Sequence, residues 1–490
     1  MEQSRIDALT DQTWRDVVFC GEPSQKTHAP LYLVRLDHYD SWLETLAPSS
    51  RNQLARIGSA PECGRPYLVY DGWFEDKPYI LAGVLVYQQG RMFEHMAMAA
   101  PKLPAESFYP ILIDIEDAPD LAHGALGFAL SCYGFDYFKS ESVSSVRWAR
   151  LILADEQSVT RVNAIAQATY LGRDMVNMPA DILTPEAMGR LVGLIAAQHD
   201  ASISEIVGES LLEQNFPLIY HVGKAASSAP RLIELNWQPK SQNHKVLPCI
   251  SLVGKGVTFD SGGLDIKPSN AMKLMKKDMA GAASALSLAV MIMRLNLPVQ
   301  LKLLIPAVEN AISGNAFRPL DILPSRKGTY VEIGDTDAEG RLILADAISY
   351  ACEQKCDLLV DFATLTGAAR VALGTDLPAL FCNDSVLAAD IMDGGLRMND
   401  PCWQLPLYDP YRKQLKGKAA PLNNAPASGV GGAITAALFI EHFVDPKVKW
   451  AHIDMMGWNL ANRPAYPEGG EPHMVRAFLT LIEEIYCHEA

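Results

Sequence analysis

Four continuous apolar runs, Val246 to Val253, Val299 to Pro306, Asp357 to Phe362 and Val448 to Met455, alternate with stretches of helical periodicity. The helical candidates between them include Ala280 to Arg294, Ala338 to Cys352 and Ala433 to Phe443. Runs rich in Val, Ile and Leu that lack polar alternation suit strands buried on both faces. Strands of that kind joined by helices build an α/β fold, a largely parallel mixed sheet covered by helices on both faces. In such sheets the chemistry gathers at the carboxyl ends of the strands.

Ahead of this region the pattern differs. From Leu31 to about Glu116, short β-rich runs such as Leu31 to Val34 and Tyr79 to Tyr87 are separated by Pro, Gly, Asp and Ser clusters, which reads as a smaller α/β domain. Leu121 to Tyr133 has helical periodicity, and Ser140 to Ser145 is a polar, serine-rich patch. The expected organisation is an N-terminal domain over 1–155 and a C-terminal domain over 156–490, with a Pro-free helix at about 157–178 bridging them. Thr184 followed by Pro185 is an N-cap and first-turn signature.

Composition narrows the function. The chain has 490 residues, 49% of them hydrophobic and 20% charged, which is ample for a large core. A formal net charge of −15 disfavours a nucleic-acid backbone as ligand. No apolar run is long enough to span a bilayer, and no secretory signal is evident. The nine cysteines are scattered without a Cys-x-x-Cys, which suits reduced thiols and a cytoplasmic protein.

The stretch from Val253 to Arg341 concentrates charge where the pattern calls for strand ends and helix starts. Lys255 and Asp260 directly follow the first apolar run, Asp278 sits at the entry of the Ala280 to Arg294 helix, and Asp337 and Glu339 straddle another helix start. Unpaired charges there would cost several kcal/mol or more, so a cationic partner is expected with them. Taken one at a time, the signals have plainer readings. Thr336 to Glu339 fits a capping box, Asp278 could compensate a helix dipole, and Lys276 and Lys277 read as a solvated face. Lys255 between two glycines is not a Walker loop.

Taken together, the order, spacing and glycine context resemble the leucyl aminopeptidase (cytosol aminopeptidase) family of metallopeptidases. The resemblance rests on Val253-Gly-Lys-Gly through Phe259-Asp-Ser-Gly-Gly263, Lys267-Pro-Ser269, Met275 to Met279 and Thr336-Asp-Ala-Glu-Gly-Arg-Leu342. It extends to Asp174 to Ala180, Asp361 to Ala368, Trp403 to Leu407 and Trp450 to Asp454, and so to essentially the whole C-terminal domain.

The resemblance implies a metal-dependent hydrolase, an aminopeptidase that releases N-terminal leucine and similar apolar residues from short peptides. Two divalent ions, zinc or manganese, would share Asp260 and Glu339, with Lys255 and Asp278 completing one site and Asp337 the other. Hard carboxylate oxygens suit such ions, and a lysine ligates only as the free amine. The catalytic residues would be Lys267, at the developing oxyanion, and Arg341, which in the family holds a bicarbonate. Met275, Thr364, Leu365, Gly367 and Met456 would bind substrate. A homohexamer is implied as well.

Three positions depart from the family pattern. Met456 stands where alanine is usual, which points to an apolar but narrower pocket favouring Leu or Met over aromatic side chains, unless the thioether packs into neighbouring core. Asp335 replaces an asparagine, adding charge near the metals or capping the helix, and Pro421 replaces an acidic residue. The rival reading is a DNA-associated architectural or regulatory protein on the same fold, against which the acidic balance weighs.

Overall fold

A computed structural model describes residues 2–10, 16–21, 28–55, 61–74, 77–113, 121–139, 148–240, 246–426 and 428–487. The serine-rich patch from Ser140 to Ser145 lies outside the described residues. Contacts divide the chain into two units. The larger comprises Met1–Asp11, Leu171–Leu460 and Gly469–Ala490, the smaller Gln12–Tyr170 and Ala461–Glu468, so the division falls inside the helix Glu156–Asn177.

The smaller unit is built on a six-stranded sheet in the order Val18–Cys20, Arg150–Leu153, Ser107–Leu112, Ala29–Arg35, Lys77–Tyr87, Pro66–Phe74. All neighbours pair in parallel except the last two, which form an antiparallel pair. The helix Leu121–Ser131 is buried from Gly124 to Leu130, as its unbroken apolar sequence requires.

The larger unit carries the four apolar runs as four adjacent strands at the centre of a nine-stranded sheet. Lys449–Asp454, Leu358–Ala363, Cys249–Gly254 and Gln300–Asn310 lie side by side in that order, all parallel. Gly256–Asp260 continues along the far half of Gln300–Asn310. The flanks are antiparallel, Ala379–Cys382 on one side and Arg231–Trp237 followed by Ser202–Val207 on the other. The mixed, mainly parallel architecture expected from the alternation is therefore what the chain adopts.

Helix Ala280–Arg294 is enclosed on all sides. Besides the apolar face through Ala282, Leu286, Ala289 and Met293, every other residue from Ala280 to Met293 is buried. The helix is packed on one side by the strands ending at Gly254 and Ala363 and on the other by the helix Val475–Ile482. Its small residues, among them Ala282, Ser284, Ala285 and Ser287, permit that double coverage. The backbone is fastened at its start, where Ala282 N donates to Lys255 O at 2.9 Å.

One buried carboxylate serves the scaffold alone. Asp346, fully buried in helix Gly340–Cys352, accepts from Leu218 N at 2.8 Å, Ile219 N at 3.4 Å and Arg326 N at 2.8 Å. It thereby closes the start of helix Pro217–Gly223. Burial lifts its carboxyl from 3.8 to about 7, the three amides opposing. The folded chain thus keeps a proton that the unfolded chain releases, and this residue makes folding less favourable as pH rises from 3.8 to about 7. Asp346→Asn should flatten that part of the stability profile in urea titrations. Asp346→Ala, which strands the amides, should lose about 3 kcal/mol.

Candidate metal centre

Each charged residue of the centre is set by a strand end or a helix entry. Lys255 follows the strand ending at Gly254, and its backbone N donates to Phe362 O at 3.0 Å on the neighbouring strand. Asp260 ends Gly256–Asp260, where Asn310, at the end of the paired strand, donates to its Oδ1 at 2.9 Å. Asp278 lies in the 3-10 turn Met275–Met279 that runs into helix Ala280–Arg294. Asp337 and Glu339 precede helix Gly340–Cys352.

These side chains converge. Lys255 Nζ lies 2.7 Å from Asp278 Oδ2 and 2.9 Å from Glu339 Oε1, and donates to Thr364 O at 3.1 Å. Lys267 Nζ lies 2.7 Å from Asp260 Oδ2 and also contacts Asp337 Oδ1. Asp260, Asp337 and Glu339 each offer an oxygen, all within 4.8 Å of one another. Gly340 is needed for this approach, because a Cβ there would stand 2.6 Å from Lys255 Cε.

Four carboxylates share two ammonium groups, which leaves an excess of negative charge in a buried site. Lys255 is 3% exposed, Asp260 2% and Glu339 1%. Burial, then repulsion from Asp260, lifts Glu339 to about 8 and Asp337 to about 7, with Lys267 opposing the shift at Asp337. Burial works against the charge on Lys255 and Lys267, but the surrounding carboxylates outweigh it and hold both amines above the usual lysine range. Asp278 Oδ2 and Glu339 Oε1 are buried, and among the described residues the Lys255 ammonium is the group that meets them. Carboxylate oxygens gathered in one cluster with more acids than ammonium groups to neutralise them fit divalent cations.

Two of the plainer readings of this stretch do not hold. Thr336 and Glu339 form no capping box: the helix has no side-chain cap bond. Thr336 Oγ1 donates instead to Gly262 O at 2.7 Å and accepts from Asp265 N at 2.9 Å, fastening the 335–339 loop to the 260–265 loop. Lys277 is no solvated residue either. It is 3% exposed, and burial pulls its amine down to about 8. Lys276 is half-buried, donating to Asn177 O at 2.6 Å and lying over the Trp458 ring. Asp335 orders its own turn, its Oδ1 accepting from Asp337 N at 2.8 Å.

The remaining candidates border the cluster. Thr364, directly after the strand ending at Ala363, donates to Asp278 Oδ1 at 2.8 Å. Leu365 N and Thr366 N both donate to Asp454 Oδ1, at 2.9 and 3.1 Å, and Gly367 opens the next helix. Met275 and Met456 are buried. Arg341 donates to Asn424 O at 2.6 Å, its Nε is buried without a partner, and burial lowers it to about 10. Sequence reasoning assigned no role to Asn310, Asn424, Asp265 or Asp454. A polar residue closing an otherwise apolar strand, as at Asn310 and Asp454, was the available signal.

Residues 170–479 match the family model described as "Cytosol aminopeptidase family, catalytic domain". A probable cytosol aminopeptidase of Chlamydia abortus is 42% identical over 328 residues, which cover 66% of this chain and 64% of that protein's length. The crystal structure of a cytosol aminopeptidase from Coxiella burnetii superposes with a TM-score of 0.88 at 39% identity, over 96% of this chain and 99% of that one. The bottromycin maturation enzyme BotP, in complex with Mn, follows at 0.82 and 29%, over 94% and 100%.

A cation filling the centre should stabilise the fold. At roughly 1,000 times its dissociation constant, manganese or zinc is expected to add about 4 kcal/mol. Glu339→Gln, which removes a charge without changing shape, should keep the metal-free stability and lose most of that gain. Equal gains in both proteins, measured by denaturation with and without chelator, would count against the centre.

Proposed function

Since this chain belongs to the cytosol aminopeptidase family, we propose that it is a metal-dependent aminopeptidase, removing N-terminal leucine and similar apolar residues from short peptides. The observation that carries this reading is the convergence of Asp260, Asp337 and Glu339 with Lys255 and Asp278, all but Asp337 buried. Two divalent ions, zinc or manganese, would be held by sharing Asp260 and Glu339, one completed by Lys255 and Asp278 and the other by Asp337. When bound, such ions act as Lewis acids and lower the pKa of water.

The chain's own groups would do the rest. Lys267, fixed between Asp260 and Asp337, presents an ammonium donor to the oxygen that gains charge when the peptide carbonyl is attacked. Its position between two acids keeps it protonated, as that task requires. Arg341, with Nε free of partners, would hold a bicarbonate that accepts and returns the proton. The Thr364–Gly367 loop, held by Asp454, would align the peptide backbone, while Met275 and Met456 wall the pocket for the N-terminal side chain. The family likeness extends the reading to a cytoplasmic homohexamer. Among the described residues no helix is long and apolar enough to cross a membrane.

Release of leucine from a leucyl anilide should require metal and a free amine. Chelation, or N-acetylation of the substrate, should abolish it; cleavage of the acetylated twin would overturn the reading. Met456 sets a further expectation. Met456→Ala should raise the phenylalanyl-to-leucyl ratio of kcat/KM by roughly ten-fold, the scale of a few methylenes in an apolar pocket. An unchanged ratio would mean that the thioether packs into core and not into the pocket.

A further inference from the structure

The wall beyond Asp278 carries a cation that the carboxylate cluster does not use. From Asp278 the contacts run to Thr364 at 2.8 Å, and a Cβ on Gly457 would stand 2.9 Å from Thr364 Cγ2. The residue before Gly457 is Met456, whose Sδ lies 3.2 Å from Arg370 Nη1. Arg370 Nη2 in turn lies 3.4 Å from where a Cβ on Gly367 would be. Thr364, Gly457, Met456, Arg370 and Gly367 are thus joined by a run of close approaches that starts at the metal centre.

Arg370 is half-buried and has no carboxylate within ion-pair distance among the described residues. Asp454, on the adjoining strand end, is consumed by Leu365 N, Thr366 N and the Thr366 hydroxyl. A guanidinium offers five N–H donors in a planar fork, and a thioether is a weak acceptor for one of them. The fork is therefore left with donors that no carboxylate among the described residues takes up, beside Met456 and Gly367 and with the buried Lys277 as a neighbouring charge.

We infer that Arg370 is a specificity-determining residue that admits peptides with N-terminal glutamate, its guanidinium receiving the side-chain carboxylate while the methylenes lie along Met456. This rests on the aminopeptidase reading above and extends its substrate range beyond apolar residues. A carboxylate is favoured over an amide of the same shape because a charge-assisted, forked pair is about twice as strong as a neutral hydrogen bond.

The test is steady-state hydrolysis of glutamyl, glutaminyl and leucyl p-nitroanilides by the metal-loaded full chain, Arg370→Gln and Arg370→Lys. Wild type should favour glutamyl over glutaminyl by roughly ten-fold in kcat/KM. Arg370→Gln should lower the glutamyl-to-leucyl ratio by a similar factor, mainly through KM, and Arg370→Lys should restore part of it. Added salt should depress glutamyl turnover more than leucyl turnover in wild type and not in Arg370→Gln. A parallel fall for all three substrates in Arg370→Gln, or an unchanged ratio, would overturn the inference, because Arg370 would then only brace Met456. No leucyl hydrolysis by wild type would overturn the aminopeptidase reading itself and this inference with it.

Discussion

Four carboxylates gathered around two ammonium groups, with only Asp337 partly open to water, are the constraint on which the larger unit turns. Charges of one sign repel strongly at such distances in a low-dielectric interior, and they stay together only if the backbone leaves them nowhere else to go. The parallel sheet supplies that rigidity. Adjacent strands end at Gly254, Ala363 and Asp454 in register, with Asp361 opposite Val253 and Ala363 opposite Asp454. The residues that follow inherit positions fixed by hydrogen bonds made far inside the core. Loops alone could not impose this, so Asn310, Thr336 and Asp454 tie each loop back to a strand end or to another loop.

Much of that frame can be read before the structure is known. The four central strands coincide with the four apolar runs because strands buried on both faces have no room for polar alternation. Boundaries moved where chemistry outside the pattern intervened. The first run begins at Val246 in sequence but at Cys249 in the sheet, since Val246 is 85% exposed and the run crosses Pro248, which has no N–H to give. Ser202–Val207 went unread because it is a largely exposed edge strand with no apolar run. The metal candidates were found together through the family resemblance, while local rules pointed elsewhere. A capping box and a solvated lysine pair are judgements about neighbours in sequence, and Thr336 and Lys277 take their partners and their burial from segments tens of residues away.

Arg341 and Arg370 show two uses of the same side chain. Arg341 is buried, with the Asn424 carbonyl as its one acceptor among the described residues, and burial weakens its hold on the proton. Arg370 stands at the border, touching sulfur and glycine. What separates them is the degree of enclosure, which sequence does not encode locally.

The strand order carries a consequence for how the chain assembles. Lys449–Asp454 lies between Leu358–Ala363 and Ala379–Cys382, although both neighbours precede it in the chain. In the finished sheet Leu358–Ala363 and Ala379–Cys382 do not pair with each other, and the place between them is filled only by a strand that comes later in the chain. That strand also brings the carboxylate that holds Leu365 and Thr366 in place. A chain cut short before Asp454 would therefore present the clustered acids without the carboxylate that anchors Leu365 and Thr366. Completion of the sheet and fixing of the 364–367 loop become one event, reached only when this late strand is in place.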